Sequence, residues 1–99
     1  MARFDVYENP DGLGYLMTVQ AGILDHLNTR MVVPLMPISE SPQPARILNP
    51  IFTISGEETM MATQFMAAVP TAVLRSQIVN LEPEHQSIVT AIDFLLQGF

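Results

Sequence analysis

The 99-residue chain has no cysteine and no lysine, and only 14% of its residues are charged. Without cysteine it can form no disulfide, and it offers no thiolate as a nucleophile or metal ligand. Its fixed cations are four arginines, which face ten carboxylates and leave a net charge of −6. Non-specific binding to a phosphate backbone requires Lys and Arg to displace counterions, so we expect no direct binding of nucleic acid. An acidic surface instead favours a basic protein partner, or a protein whose own site binds DNA.

Long apolar runs are also missing, since none approaches the roughly 18 residues of a membrane span. The first ten residues lack the pattern of a signal peptide, and we therefore predict a cytoplasmic protein without membrane contact. Hydrophobic residues nevertheless make up 48% of the chain, and its length suits a single domain over residues 1–99. With so few charges available for the surface, some apolar surface should be covered by another chain. We predict a homodimer.

Short alternating segments predict five to seven strands. RFDVYE and YLMTVQ, separated by the turn-rich NPDGLG, predict a hairpin whose first strand is buried on one face. MVVPLMPI predicts a strand that ends, bulges or bends at Pro34 and Pro37, because proline cannot donate to the ladder. PIFTIS predicts a strand and GEE a turn. TMMATQFMAAV fits either a long strand or a helix; the preceding turn favours a hairpin, with extended chain continuing through VPTAVL.

The last part of the sequence predicts one helix, at about residues 83–97. Pro83 suits its first turn, where Glu82 and Glu84 lie beside the positive end of the dipole. Gly98 fits the position after the helix, in a left-handed conformation. One apolar stripe at helical spacing should pack on the sheet: Ile88, Ala91, Ile92, Leu95 and Leu96. The predicted fold class is mainly β with a C-terminal α-helix.

Catalytic signals are weak throughout the sequence. It contains no nucleophile elbow, no phosphate-binding loop and no zinc-protease motif. His26 and His85 are far apart and are more typical of isolated surface histidines than of a metal site. Arg30 could hold an anion, although a structural pair with a carboxylate is the commoner role. These features favour a binding protein over an enzyme, with neither a cofactor nor a metal.

Several stretches together resemble the CcdB family of toxins. They are FDVYENP, MTVQAGILDHLNTRMVVPLMPI, PIFTISGEETMMATQFMAAVP and the ending AIDFLLQGF, in this order over nearly the whole chain. The resemblance implies an SH3-like barrel of the CcdB/MazF type with a long C-terminal helix, forming a homodimer. It also implies the toxin of a type II toxin–antitoxin module.

By that resemblance, the dimer would bind the DNA gyrase A subunit and trap gyrase on cleaved DNA. A cognate CcdA-type antitoxin would neutralise it through a disordered C-terminal segment. The family's gyrase contacts, matched onto this sequence, are Ile23, Leu24, Asp93, Gln97, Gly98 and Phe99. The best-known member of the family has a tryptophan in place of Gln97, so a cation–π contact of about 0.5–2 kcal/mol is absent here.

The sequence leaves two alternatives open. MazF-type toxins share the barrel and cleave RNA, but they need cations near the scissile phosphate, which a lysine-free acidic chain supplies poorly. A degenerate binding module without toxicity is the other alternative, and Gln97 is the residue that keeps it open.

Overall fold

The computed structural model describes residues 2–41 and 43–98. Seven strands and one helix make up the regular structure, joined by single turns of 3₁₀ helix. The strands are β1 (Asp5–Glu8), β2 (Tyr15–Thr18), β3 (Thr29–Pro37), β4 (Ile51–Ile54), β5 (Glu57–Met61), β6 (Ala67–Pro70) and β7 (Gln77–Asn80), and the helix is α1 (His85–Gln97). The predicted class, mainly β with a C-terminal helix, is confirmed.

The seven strands form one antiparallel sheet that curls into a half-barrel. Its order is β4-β5-β3-β2-β1-β7, and β6 also pairs with β3. β3 is the longest strand: its first half, from Thr29 to Val32, pairs with β6, and its last residues, Leu35–Pro37, pair with β5. Along its other side it pairs with β2. This exchange of partners along one strand lets the sheet curve around a core.

The prolines of β3 mark the exchange of partners and the end of the strand. β3 ends at Pro37, as predicted, but it continues through Pro34, which lies opposite Leu16 of β2. The carbonyl of Pro34 accepts a bond from the Ala62 N–H at 2.9 Å, beyond the end of β5. The missing N–H of Pro34 therefore falls between the β6 and β5 ladders, where its loss is tolerated.

The core has two parts, one on each face of the sheet. The larger part includes Val6, Met17 and Val33 and is covered by Ile88 and Ala91 of α1. The smaller part groups Tyr7, Leu16, Val32 and Leu74 on the opposite face. The prediction that β1 is buried on one face only is therefore wrong: the segment around Leu74 covers the second face, so Tyr7 is buried as well as Val6.

The segment from 60 to 74 departs from the predicted extended chain. β4 and β5 form the expected hairpin, but β5 stops at Met61 and a 3₁₀ turn at Thr63–Phe65 separates it from β6. The Thr63 side chain helps to fix this turn by donating to the carbonyl of Leu48. A second 3₁₀ turn at Thr71–Val73 follows β6. The expectation of continuous extended chain through VPTAVL is thus wrong.

The helix begins with a 3₁₀ turn at Glu82–Glu84 that contains Pro83, and regular α1 follows from His85 to Gln97. Ile88 and Ala91 are buried and Ile92 packs against the core. Leu95 and Leu96 are 38% and 67% exposed, so the predicted stripe does not continue to the end of the helix. Among the residues that the structure describes, no helix has the length and apolar character of a membrane span.

Candidate protein-binding site

Residues 21–28, which we call the apolar loop, connect β2 to β3 and are exposed throughout. Ile23 is 86% exposed, and Leu24 and Leu27 are about 40% exposed. Large aliphatic side chains at this exposure, close together in one loop, form an apolar patch of the kind that marks interaction sites. The two loop residues singled out from the sequence, Ile23 and Leu24, therefore lie on the surface and not in the core.

The loop backbone is folded into consecutive tight turns. The N–H groups of Leu24, Asp25 and Leu27 donate to the carbonyls of Ala21, Gly22 and Leu24, respectively, at 3.0–3.1 Å. Ala21 has an extended backbone, and Gly22–Leu24 form a 3₁₀ turn. These bonds turn the exposed chain into a defined shape rather than an open coil.

The side chain of Arg30, a residue of β3, connects the apolar loop to the sheet. The residue is only 6% exposed. Its Nη1 donates to the carbonyls of Leu27 and Thr29 at 2.6 and 2.8 Å, and its Nη2 donates to the carbonyl of Asp25 at 2.7 Å. Nη2 also lies 3.7 Å from the Asp25 carboxylate. The interpretation of Arg30 as a structural cation is confirmed, although carbonyls are its main partners.

Gln20 holds the other end of the loop. Its Nε2 lies 3.4 Å from the carbonyls of Leu24 and Thr29, and its Oε1 accepts a bond from the Met31 N–H. The Thr71 N–H donates to the carbonyl of Asn28 at 3.0 Å, which attaches the end of the loop to the turn after β6. Sequence reasoning missed Gln20; its only signal is a long polar side chain placed just before an apolar loop.

The charge of Arg30 also acts on the buried phenol of Tyr7. Burial raises the pKa of Tyr7, the negative charge of Asp5 and a side-chain hydrogen bond to it raise it further, and Arg30 opposes these effects. Tyr7 is therefore neutral at physiological pH. Tyr7 is thus no counter-charge for Arg30, and Asp25 is the carboxylate within ion-pair distance among the described residues.

The end of α1 carries the other predicted contact residues. Asp93 is half-buried, whereas Gln97 and Gly98 are exposed. Gly98 has φ 80° and ψ 12°, so the predicted left-handed conformation is confirmed, and its N–H donates to the carbonyl of Phe94 at 2.9 Å. Phe99 lies outside the described residues.

An open groove borders the end of the helix. It has a volume of about 560 Å³ and is lined by Ala45, Arg46, Ile47, Leu48 and Phe94. Ile47 is 49% exposed, and Leu96 is the most exposed apolar residue of the helix. The helix end is thus a second apolar surface, with the Arg46 cation at its border.

The apolar loop and the helix end are not joined by any hydrogen bond or ion pair among the described residues. The start of the helix is the part that lies near the β2 end, because the His85 ring packs edge-on against Phe4 at 5.4 Å. The Phe4 N–H in turn donates to the carbonyl of Thr18, at the end of β2. The five predicted contact residues that the structure describes therefore fall into two patches: Ile23 and Leu24 in the apolar loop, and Asp93, Gln97 and Gly98 at the helix end.

The histidines do not form a site with other metal ligands in the described part of the chain. His85 Nδ1 lies 3.3 Å from Glu82, one turn away, and His26 is exposed in the apolar loop. Neither arrangement offers the three or four converging ligands that a metal centre requires.

A sequence profile described as CcdB protein matches residues 3–98 of the chain. The chain belongs to the CcdB family. The resemblance noted on its sequence motifs is confirmed, and the curled sheet with one C-terminal helix fits the CcdB fold. CcdB proteins are toxins of toxin–antitoxin systems that act on gyrase and are not themselves enzymes, and their general partners are gyrase and a CcdA antitoxin.

Proposed function

We propose that this protein binds the gyrase A subunit and traps the gyrase–DNA cleavage complex, and that a cognate CcdA-type antitoxin neutralises it. The observation that carries this proposal is the CcdB match over residues 3–98. The chain would act by binding alone, with gyrase supplying the covalent bond to DNA. A net charge of −6 agrees with a target whose own surface is built to bind DNA.

The proposed gyrase contacts are Ile23 and Leu24 in the apolar loop and Asp93, Gln97, Gly98 and Phe99 at the helix end. In support, Ile23 is 86% exposed although it is aliphatic. Burying such a side chain against a partner contributes about 1.5–3 kcal/mol. Gln97 is exposed and can form hydrogen bonds, but it offers no aromatic face to a gyrase cation.

We also propose that the active species is a homodimer that presents each patch twice. The described surface carries many exposed apolar side chains beyond the loop, including Ile51, Phe65, Ile78 and Leu96. With 14% charged residues in the chain, a second copy is the simplest cover for part of this surface. The antitoxin segment would then dock on a surface that overlaps the apolar loop or is coupled to it.

Controlled expression in cells that depend on gyrase tests the proposal. Induction should lower colony formation by several orders of magnitude, and co-expression of the cognate antitoxin should restore it. Cells that survive induction should carry substitutions in the gyrase A subunit that make the host resistant to the toxin. Undiminished colony formation would contradict the proposal, and degradation of total RNA by the purified protein would favour the MazF-like alternative.

A further inference from the structure

The interior of the apolar loop is lined by carbonyl oxygens. The Arg30 guanidinium donates to those of Asp25, Leu27 and Thr29 at 2.6–2.8 Å. Gln20 adds a longer contact to the Leu24 carbonyl. The loop therefore turns these carbonyls toward the side chains of Arg30 and Gln20. Its aliphatic side chains remain outside, and Ile23 is 86% exposed.

The hydrogen bonds of Arg30 are directed at the apolar loop more than at the core. The guanidinium is nearly inaccessible to water, and its Nε has no hydrogen-bond partner among the described residues. A buried guanidinium needs nearby acceptors, and Arg30 finds them in backbone carbonyls together with the Asp25 carboxylate at 3.7 Å. Moreover, two of the three carbonyls that it binds belong to the exposed apolar loop and not to the core. The net effect of Arg30 is therefore to shape that loop.

We infer that Arg30 is a positioning residue for partner binding, which holds the apolar loop in the one shape that presents Ile23 and Leu24 together. This inference rests on the proposed contact between those two residues and gyrase. Arg30 itself touches no partner, because it is buried beneath the loop. It acts by fixing the loop before binding, so that the partner does not have to order it.

An arginine suits this role better than a lysine does. Its planar fork can donate to several fixed carbonyls at once, whereas an ammonium group on a flexible stem donates from a single point. Arg30→Lys keeps the charge and removes the fork. Arg75→Lys is the matched control, because exposed Arg75 makes one bond, from Nε to the Ala72 carbonyl at 3.2 Å.

The test combines amide hydrogen exchange with affinity for the purified gyrase A subunit. In Arg30→Lys, the amides of Leu24, Asp25 and Leu27 should exchange at least about tenfold faster. The amide of Val19, which donates to Met31 in the sheet, should be unchanged. If only about a tenth of the molecules then hold the competent loop, the dissociation constant rises about tenfold. Arg75→Lys should match the wild type in both measurements.

Two results would overturn the inference. One is exchange and affinity in Arg30→Lys within twofold of the wild type, and the other is faster loop exchange with unchanged affinity. If Arg30→Lys loosens the whole protein, Gln20→Ala is the deciding variant. Binding that is about threefold weaker supports the positioning of the loop by these polar side chains, and unchanged binding refutes it. Ile23→Asp distinguishes failure of this inference from failure of the proposed function. Unchanged gyrase affinity in that variant would show that the loop does not contact gyrase, whatever the role of Arg30.

Discussion

Ile23 and Leu24 are aliphatic side chains that the fold leaves in water. A charge at either position should therefore remove a partner contact without opening a cavity in the core. We predict that Ile23→Asp and Leu24→Asp each change the unfolding free energy by roughly 0.5 kcal/mol or less, as is usual for surface substitutions. For a chain of this size, that corresponds to a shift in melting temperature of a few degrees.

The same substitutions should weaken binding to gyrase by about tenfold to a hundredfold, because the lost apolar contact is worth about 1.5–3 kcal/mol. Leu13→Asp is the matched control, since Leu13 is 68% exposed in a different loop and should bind like the wild type. Calorimetry and a binding titration on the same samples measure both quantities. A fall of more than about ten degrees in melting temperature would place the two residues in the core instead.

At the scale of single residues, short-range rules predicted some features and could not reach others. The left-handed Gly98 follows from its place after a helical pattern. Phe4 also has a positive φ, of 71°, which bulky residues rarely adopt. Its N–H donates to the carbonyl of Thr18 and its carbonyl accepts from the N–H of Leu81, and both partners are distant in sequence. Such a conformation is imposed by tertiary contacts that no local pattern encodes.

At the scale of elements, deleting the residues after α1 tests the proposed contact at the helix end. Deleting Gly98 and Phe99 should cost one described hydrogen bond, from the Gly98 N–H to Phe94, or about 0.5–1.5 kcal/mol. The buried residues of the helix, Ile88 and Ala91, lie in its earlier turns and are kept in the deletion. We therefore predict a truncated protein that folds and binds its antitoxin but no longer lowers colony formation.

Gly98→Ala tests the shape of the helix end while keeping Phe99. An added Cβ would meet no heavy atom within 4 Å, so only the left-handed backbone opposes it, at a cost of about 1 kcal/mol. Melting curves should therefore show both variants folded. A truncated protein that remains toxic would remove the proposed contact at the helix end, and one that unfolds would assign Phe99 a structural role.

Elements whose apolar residues recur with a clear period could be predicted from the sequence. Elements whose limits depend on which strand pairs with which could not. The β4–β5 hairpin follows from a turn between two apolar runs. The break at Thr63–Phe65 does not, because Met60, Met61 and the residues after them fit either period. Likewise, Leu95 and Leu96 continue the helical stripe in sequence, but they lie beyond the point where the helix packs on the sheet.

At the scale of the whole molecule, apolar side chains are exposed on several elements. We predict a homodimer in solution, since 48% of residues are hydrophobic and the described surface carries aliphatic and aromatic side chains on several elements. A stable dimer would bury at least about 1,000 Å² in total. Sedimentation at micromolar concentration should show twice the chain mass, and a single 11.0 kDa species would exclude the dimer.

We propose that this acidic chain poisons gyrase by binding it on cleaved DNA. The most direct measurement incubates purified gyrase, supercoiled plasmid and ATP with the protein, and then denatures the gyrase and digests it with protease. We predict that linear plasmid accumulates with the wild type, is reduced by Ile23→Asp and disappears when the antitoxin is added. Plasmid that remains uncleaved at saturating protein, with a folded sample, would contradict the claim.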